Sequence, residues 1–553
     1  MTIATPGAAP SASPARAAPG GPAQVARPWR PIRPHAAAVA LIIAAGAALR
    51  LAAYAAGRPL WLDEALIAIN LLDPPPDGLL GPLSFAQGAP PGFLWAQSVL
   101  IDGLGPDEHA LRLLPLISGL GALALFWPVA RRVARPRAAL PALALFATLA
   151  PLVHYSSEAK QYSGDVLAAL AVTWAALLVA ERPRDGRRAL AAGLVGAGAL
   201  WLSHAALLVL AGVAPVLAIA AVRRRDGAAL RLLAGAGALW VASATAAYAI
   251  SLRHLDGLQE HVVGRDSPFS PPLPPRTLAD LAWPADTSAA TLRDLAGWPA
   301  PLALAAALLV AAGAYAMLRR DATRAGLILA PAAVALVASA LERYPFGGRF
   351  VLFLMPALVI LLAEGGLCLR DRAAGHRALG PLSLAPLAAL IGWQLWLAGA
   401  EVASPRLRED IRPALLELAQ AWRPSDRLYV SEGAQYAFRY YADAGWIARA
   451  SGRPLPWPVV DAPPDPRPAA PAVLGRPPHI VIGRSVRGRE PTGIAADLAV
   501  LAGGARTWVL VSHAIHGDGE FLRERFDAAG RRLRSERWEG AELHLYDLRR
   551  RAR

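Results

Sequence analysis

Residues 36–65 read AAAVALIIAAGAALRLAAYAAGRPLWLDEA, a long apolar run followed closely by two adjacent carboxylates. A run of about 20 apolar residues is long enough to cross the hydrocarbon core of a bilayer. Asp63 and Glu64 therefore lie just beyond a predicted span. Because carboxylates that face lipid are costly, acidic groups near a bilayer usually face water, a cavity or a substrate. The alternative is a solvated loop in which Asp63 caps a short helix that starts near Glu64.

The rest of the chain repeats the apolar pattern. Of the 553 residues, 55% are hydrophobic and only 18% are charged, whereas a soluble domain of this length would carry more charge. Eleven apolar segments are present, at residues 36–56, 110–130, 138–153, 166–180, 189–202, 205–222, 228–250, 300–318, 325–341, 350–369 and 378–398. The sequence therefore predicts a polytopic α-helical membrane protein with about 11 transmembrane helices.

Arginine clusters give this topology a direction. Arg27, Arg30 and Arg33 precede the first segment, and every even-numbered segment ends in an arginine cluster such as Arg131 and Arg132. By the positive-inside rule these clusters and the N-terminus are cytoplasmic. The clusters also explain the net charge of +15 without invoking nucleic acid. The outer, periplasmic face then receives residues 57–109, 154–165, 251–299, 342–349 and everything after 399.

Composition divides the chain into three predicted regions. Residues 1–34, rich in Ala, Pro, Gly and Ser, read as a disordered cytoplasmic tail. Residues 35–400 form the transmembrane domain, with a large first outer loop at 57–109 in which Pro91–Leu104 reads as an amphipathic surface helix. Residues 401–553 read as a small extracytoplasmic α/β domain with a partly parallel sheet.

The α/β prediction rests on short alternating patterns. Strands are expected at 427–431, 479–483, 507–512 and 542–546, helices at 411–421, 434–444 and 521–529, and a long Pro-rich loop at 454–478. The single cysteine, Cys368, excludes an intramolecular disulfide and a cysteine-based metal site.

Three charged clusters share the predicted outer face. They are Asp63-Glu64, the stretch from His154 to Tyr162, and the stretch from Glu342 to Arg349. Transfer from a phosphate-linked donor needs a base for the acceptor proton and cations for the leaving phosphate, which requires no general acid. A glycosidase would need a second carboxyl group to protonate its leaving oxygen. The alternatives are a capped loop for the second cluster and interfacial anchors for the third.

Two further polar residues have more than one interpretation. Arg50 lies inside the first segment near its outer end, where it either reaches the interface or pairs with an acidic group. His204 follows Ser203 at a thin break between two segments, and is either a core histidine or part of a cavity lining.

These motifs resemble those of bacterial GT-C glycosyltransferases of family 39, the relatives of protein O-mannosyltransferases and of aminoarabinose and Rgt-type sugar transferases. The resemblance covers nearly all of the chain except the N-terminal tail. It is carried by WLDEA (61–65), the helix after Pro90 with EHALR (108–112), SSEAKQYS (156–163), YPFGGRFVLFLMPA (344–357), EDIRPALLELA (409–419) and AFRYYA (437–442).

The resemblance implies an inverting transferase that uses a polyprenyl-phosphate sugar on the periplasmic face of a bacterial inner membrane. The implied acceptor is an envelope glycan, lipid or protein. Asp63 matches the catalytic acidic residue of the first outer loop, with Glu64 beside it. Lys160 stands where many relatives have Arg, which keeps the charge but loses the bidentate fork. The candidates for binding substrate and phosphate are His154, Glu158, Lys160, Tyr162, Arg349 and Arg112.

Two other functions are compatible with the sequence. A transporter or flippase of lipid-linked saccharide is the main rival, although transporters often show internal repeats and midplane charges, and neither is found here. A degenerate member retained for assembly is a weaker hypothesis. Some GT-C enzymes need a divalent metal ion, and no residue cluster in the sequence decides this point.

Overall fold

The computed structural model describes residues 36–75, 77–251, 253, 267, 269–272, 275–374, 382–453, 472–474, 480–483, 491–502, 506–514 and 517–549. The predicted tail at 1–34 lies outside these residues, as does most of the Pro-rich loop at 454–478. Within that loop the structure describes only Ala472–Leu474, which form a strand instead of the predicted loop.

Long helices make up the N-terminal part of the described chain. They are α1 Ala36–Ala55, α2 Leu62–Leu72, α3 Pro91–Leu104, α4 Glu108–Val133, α5 Pro136–Thr148, α6 Ala150–His154, α7 Tyr162–Glu181, α8 Gly186–Leu202, α9 Ala205–Arg223, α10 Gly227–Ile250, α11 Leu278–Ala290, α12 Ala300–Arg320, α13 Ala322–Ala340, α14 Met355–Ala373 and α15 Ala385–Ala403. A 3₁₀ turn at Gly348–Leu354 leads directly into α14.

The predicted polytopic helical class is confirmed. Among the described residues nine helices are long and apolar enough to cross a membrane, or ten if the bent pair α5–α6 is one span. The predicted segment at 189–202 is not among these spans; it corresponds to α8, which has 17 residues. The predicted break at Ser203-His204 separates α8 from α9.

The arginine-rich helix ends lie together at one end of the bundle. Ion pairs join the C-terminal ends of α4, α7, α9, α12 and α14, which the sequence placed on one side. The pairs are Arg132–Glu181, Arg184–Asp226, Arg135–Glu364, Arg320–Glu364 and Arg135–Asp371. The outer loop and its carboxylates therefore lie at the opposite end of α4.

Arg50 and Gln394 stabilise a break between α5 and α6, which meet at an angle of 52°. Such a break leaves backbone groups without intrahelical partners. Arg50 Nη1 donates to the carbonyl oxygen of Ala147 at 3.0 Å, and Gln394 Oε1 accepts from the backbone N–H of Ala150 at 2.9 Å. Arg50 thus caps a broken helix, and both predicted alternatives, snorkelling and pairing with an acid, were wrong.

The first outer loop is ordered by α2 and α3. The helix α3 has the predicted bounds, Pro91–Leu104. It buries Phe93, Leu94 and Ile101 while Trp95 and Val99 are more than half exposed. An apolar helix face that the rest of the protein leaves uncovered is typical of a helix lying at a membrane interface.

The C-terminal part forms a mixed sheet with helices around it. The strands are β1 Arg427–Val430, β2 Ala472–Leu474, β3 Ile480–Ile482, β4 Thr507–Ser512, β5 Arg531–Trp538 and β6 Ala541–Asp547. The helices are α16 Arg412–Ala421, α17 Gln435–Asp443, α18 Trp446–Ser451, α19 Pro491–Leu501 and α20 Asp518–Ala529. The strand order is β2-β3-β1-β4-β6-β5, with β1 parallel to β3 and β4 and the other pairs antiparallel.

The helix α2 connects the two parts of the molecule. Ala65, Ile67 and Ala68 of α2 belong to the same hydrophobic cluster as Phe438 and Tyr441 of α17. The hydroxyl of Tyr441 accepts a hydrogen bond from Leu60 N at 2.9 Å. The C-terminal sheet and the first outer loop therefore share one core, and the loop that carries Asp63 is packed on both sides.

Candidate active site

The two predicted acidic residues lie in the first turn of α2. This helix begins at Leu62, with Trp61 as its N-cap residue, and Asp63 and Glu64 follow at the next positions. Trp61 has no side-chain acceptor, so the N-cap residue makes no cap bond of its own. Asp63 therefore does not cap the helix, and it projects from a helical turn whose dipole favours a negative charge.

Asp63 faces Arg349 across the site. The Arg349 Nη2 atom is in hydrogen-bonding contact with Asp63 Oδ2. The Asp63 side chain is 19% exposed and the Arg349 side chain is 27% exposed, so the pair is partly open to a ligand. Arg349 comes from the 3₁₀ turn that leads into α14, and the first and third predicted clusters thus converge.

Aromatic rings surround the Arg349 guanidinium. Its carbon lies 5.2 Å from the ring centroid of Trp61 and 5.6 Å from those of Tyr162 and Phe350. Arg408 lies over the Trp61 ring at 4.1 Å. Such cation–π contacts hold a cation in place while leaving its N–H groups available for hydrogen bonds.

Lys160 brings a second cation to the site. Its side chain is buried, and Nζ donates to Gln87 Oε1 at 2.9 Å. Burial lowers the pKa of Lys160 to about 8, because the effect of desolvation and of the Arg349 charge exceeds the opposing effect of Asp63. Lys160 therefore titrates within the range in which many enzymes are assayed.

Glu64 is held in a buried ion pair with Arg112 of α4. Arg112 Nε lies 2.9 Å from Glu64 Oε1 and Arg112 Nη2 lies 2.6 Å from Oε2, which is a bidentate geometry. Glu64 also accepts from Ala159 N at 2.7 Å, and Arg112 donates to the carbonyl oxygens of Arg58 and Pro59. Glu64 and Arg112 are thus held by each other and by backbone groups, while the predicted binding of phosphate by Arg112 stays a prediction.

His154 and Glu158 form a second buried cluster. His154 Nε2 lies 3.3 Å from Glu158 Oε2, and His154 Nδ1 lies 2.9 Å from Oε1 of Glu401, at the end of α15. Burial disfavours the Glu158 carboxylate, but the hydrogen bond and charge of His154 and the charges of Arg408 and Arg349 lower its pKa. Glu158 Oε1 is buried and has no hydrogen-bond partner within the described residues.

A cleft lies beside Trp61. It contains about 250 Å³ of space free of protein atoms, and part of this space is open to solvent. Its lining combines Glu64, Arg112, His154 and Glu158 with residues that sequence reasoning missed. These are Arg58, Arg406 and Arg408. The signal for the last two was the charge-dense linker SPRLREDIR at 404–412, which follows the last apolar segment directly.

The surroundings of Asp63 do not fit a divalent metal ion. Throughout the described ranges, no group of three or more His, Cys, Asp or Glu side chains is arranged to hold a metal. The polar groups that face Asp63 are the cations Arg349 and Lys160, which would oppose a metal ion there.

A family comparison identifies part of the chain. Residues 88–248 match the family model described as dolichyl-phosphate-mannose-protein mannosyltransferase. This segment is similar to that mannosyltransferase family. The segment contains Arg112, His154, Glu158, Lys160 and Tyr162, and it begins after Asp63. The predicted family resemblance is confirmed. No curated protein sequence matches the chain.

Two solved structures are similar in fold to nearly the whole chain. ArnT from Cupriavidus metallidurans in the apo state is 13% identical, with a TM-score of 0.52 over 92% of this chain and 98% of that chain. ArnT bound to undecaprenyl phosphate is 14% identical, with a TM-score of 0.53 over 93% and 98%. The shared architecture confirms the predicted fold, including the C-terminal sheet.

Proposed function

We propose that this protein is an inverting glycosyltransferase that moves a sugar from a polyprenyl-phosphate donor to a hydroxyl group of an envelope glycan, lipid or protein acceptor. The observation that carries the proposal is the convergence of Asp63 with Arg349 and Lys160 at the outer end of the bundle. One carboxylate and two cations are the groups that such a transfer requires.

In the proposed reaction Asp63 is the general base. The acceptor oxygen attacks the anomeric carbon of the sugar and loses its proton to Asp63. The bond between the anomeric carbon and the phosphate oxygen breaks, and the phosphate leaves with the electron pair. Attack from the face opposite the phosphate inverts the anomeric centre. A phosphate is a weak base, so no second carboxyl group is needed to protonate it.

Arg349 and Lys160 are the proposed phosphate-binding groups. The charge on the phosphate grows as the bond breaks, and cations placed beside it stabilise the transition state more than the ground state. The contact between Arg349 and Asp63 supports a site in which the base and the phosphate-binding group lie at the same sugar. The aromatic rings around Arg349 restrict its movement during the transfer.

An apolar cavity between the spans supports a polyprenyl chain as part of the donor. About 360 Å³ of space free of protein atoms lies among α4, α7, α9, α13 and α14. Its lining includes Val129, Leu170, Ile328 and Phe353. Phe353 belongs to the same 3₁₀ turn as Arg349, so an isoprenoid chain could continue from a phosphate at Arg349 into this cavity.

The same cavity weighs against the transporter hypothesis. Transporters usually hold their substrate near the bilayer midplane with charged groups or broken helices. The lining between these spans is apolar apart from Thr173, and the charged groups of the candidate site lie at the outer end. The apolar lining and the position of the charged groups therefore favour the transferase over the transporter.

The experiment that tests the proposal compares Asp63→Asn with a matched control, Asp102→Asn on the exposed face of α3. Purified enzyme is given radiolabelled undecaprenyl-phosphate mannose, glucose or aminoarabinose together with envelope extract. Asp63→Asn should lower transfer about 10²–10⁴-fold, as loss of a general base does, while Asp102→Asn retains it. Wild-type turnover in Asp63→Asn would refute the proposal. Mass spectrometry of envelope glycans and glycoproteins with and without the gene then identifies the acceptor.

A further inference from the structure

The linker between the last span and the C-terminal sheet passes directly over the start of α2. It contributes Arg408, which stacks on Trp61, and Glu409, which is buried. Glu409 Oε2 accepts a hydrogen bond from the backbone N–H of Leu62 at 3.1 Å. The first N–H groups of a helix have no intrahelical partner, and Trp61 offers no acceptor of its own. Glu409 thus supplies the missing cap from 347 positions away in the chain.

Glu409 is itself held by the C-terminal sheet. Its Oε1 atom is in hydrogen-bonding contact with Nδ1 of His513, which directly follows β4. His513 has a φ of 50°, a left-handed conformation in which histidine is among the more tolerated residues. This conformation turns the chain at the end of β4, where its side chain meets the linker.

The linker backbone is also fixed to the sheet. Asp410 N donates to the carbonyl oxygen of Glu539, in the turn between β5 and β6, at 2.7 Å. Gly540 of this turn has a φ of 70°, and a Cβ atom there would lie 2.4 Å from the carbonyl oxygen of Arg408. Only a glycine permits this close approach. Two independent contacts therefore tie the position of Glu409 to the sheet.

We propose that Glu409 is a positioning residue, through which the C-terminal sheet sets the orientation of Asp63. The inference rests on the proposed role of Asp63 as the base. Asp63 is the residue after Leu62, so fraying of the first turn would move its carboxylate relative to Arg349. A displacement of about 1 Å at a reacting group can lower the rate about 10²-fold.

The principal variant is Glu409→Ala, with Glu536→Ala as its control. Glu536 lies on the edge strand β5, pairs with Arg534 and has the same charge. Glu409→Ala should lower kcat about 10–100-fold while the KM for the undecaprenyl-phosphate sugar changes less than about twofold. Glu409→Gln keeps an oxygen that can accept from Leu62 N, and should recover most of kcat. Wild-type kcat in Glu409→Ala, or no recovery in Glu409→Gln, would overturn the proposal.

Hydrogen–deuterium exchange gives a readout that is independent of transferase activity. Peptides that cover residues 58–72 should exchange faster in Glu409→Ala than in wild type or Glu536→Ala. Unchanged exchange in these peptides would overturn the positioning role even if activity fell. If wild type shows no transfer but exchange still rises in Glu409→Ala, the proposed function fails while the structural link holds.

A double-mutant cycle tests the connection to the sheet. His513→Ala should produce the same kind of kcat loss as Glu409→Ala, but a smaller one, because Leu62 N keeps its acceptor. If Glu409 and His513 act through one contact, the kcat of the double variant should be no more than about twofold below that of Glu409→Ala. Fully multiplicative losses would show that His513 does not act through Glu409.

Discussion

Raising the pH from about 7 to about 9 should remove the positive charge from most Lys160 side chains. Burial of this lysine lowers its pKa to about 8, so the charged form predominates below that pH and is lost above it. The protonated fraction then falls from about 90% to about 10% over this interval. The phosphodiester of a polyprenyl-phosphate sugar keeps one negative charge throughout, so the change resides in the enzyme.

If the charge of Lys160 is needed to hold the donor phosphate, kcat/KM for the donor should fall about tenfold over the interval, because kcat/KM reports the ionisation of the free enzyme. The assay is transfer from radiolabelled undecaprenyl-phosphate sugar at limiting donor concentration. Lys160→Arg keeps its charge at both pH values, so its kcat/KM should fall less than about threefold. Lys160→Met is uncharged at both pH values, so its kcat/KM should be low at pH 7 and unchanged at pH 9.

Two results would refute this reasoning. Wild-type kcat/KM that stays constant between pH 7 and pH 9 would show that the charge of Lys160 is not used. Equal declines in wild type and Lys160→Arg would assign the titration to another group. Size-exclusion profiles of both variants at the two pH values provide the control for folding, since Lys160 is buried against Gln87.

Three further predictions follow from the geometry. Arg349→Ala should reduce donor use more than Arg349→Lys, since a guanidinium can hold two phosphate oxygens; equal activity of Arg349→Ala and wild type would leave Arg349 an anchor only. Glu64→Gln leaves Arg112 as a buried, incompletely paired cation and should cost about 3–5 kcal/mol of stability in an unfolding titration, whereas an unchanged midpoint would contradict the role of this pair. Reporter fusions should score cytoplasmic after Arg225 and periplasmic after Gly517, and a cytoplasmic signal at Gly517 would overturn the predicted orientation.

Sequence patterns were sufficient for the elements whose signal is local. Apolar runs located the spans, and the surface helix α3 has the predicted bounds. The buried strands β1, β3, β4 and β6 were predicted from short apolar runs. The edge strand β5, RRLRSERW, was missed because its residues are largely exposed and charged, so it has no apolar run to detect.

The candidate site was only partly predictable. The sequence indicated that Asp63, Lys160 and Arg349 share a face, because topology alone sorts loops to one side. The family resemblance singled out Asp63 over its neighbour Glu64, but the sequence could not show which residues each carboxylate contacts. In the structure Arg112 pairs with Glu64 and Arg349 contacts Asp63.

The amino-acid sequence by itself determined the membrane-spanning class, the end of the bundle at which the arginines gather, and the presence of an acidic pair beside the first span. These features depend on composition and short-range spacing. Only the tertiary structure decided which residues each carboxylate contacts. The Asp63–Arg349 contact joins residues 286 positions apart, and the Glu409 cap on Leu62 joins residues 347 apart. Contacts of this kind arise from helix packing and from the core shared by α2 and α17, and no local pattern specifies them.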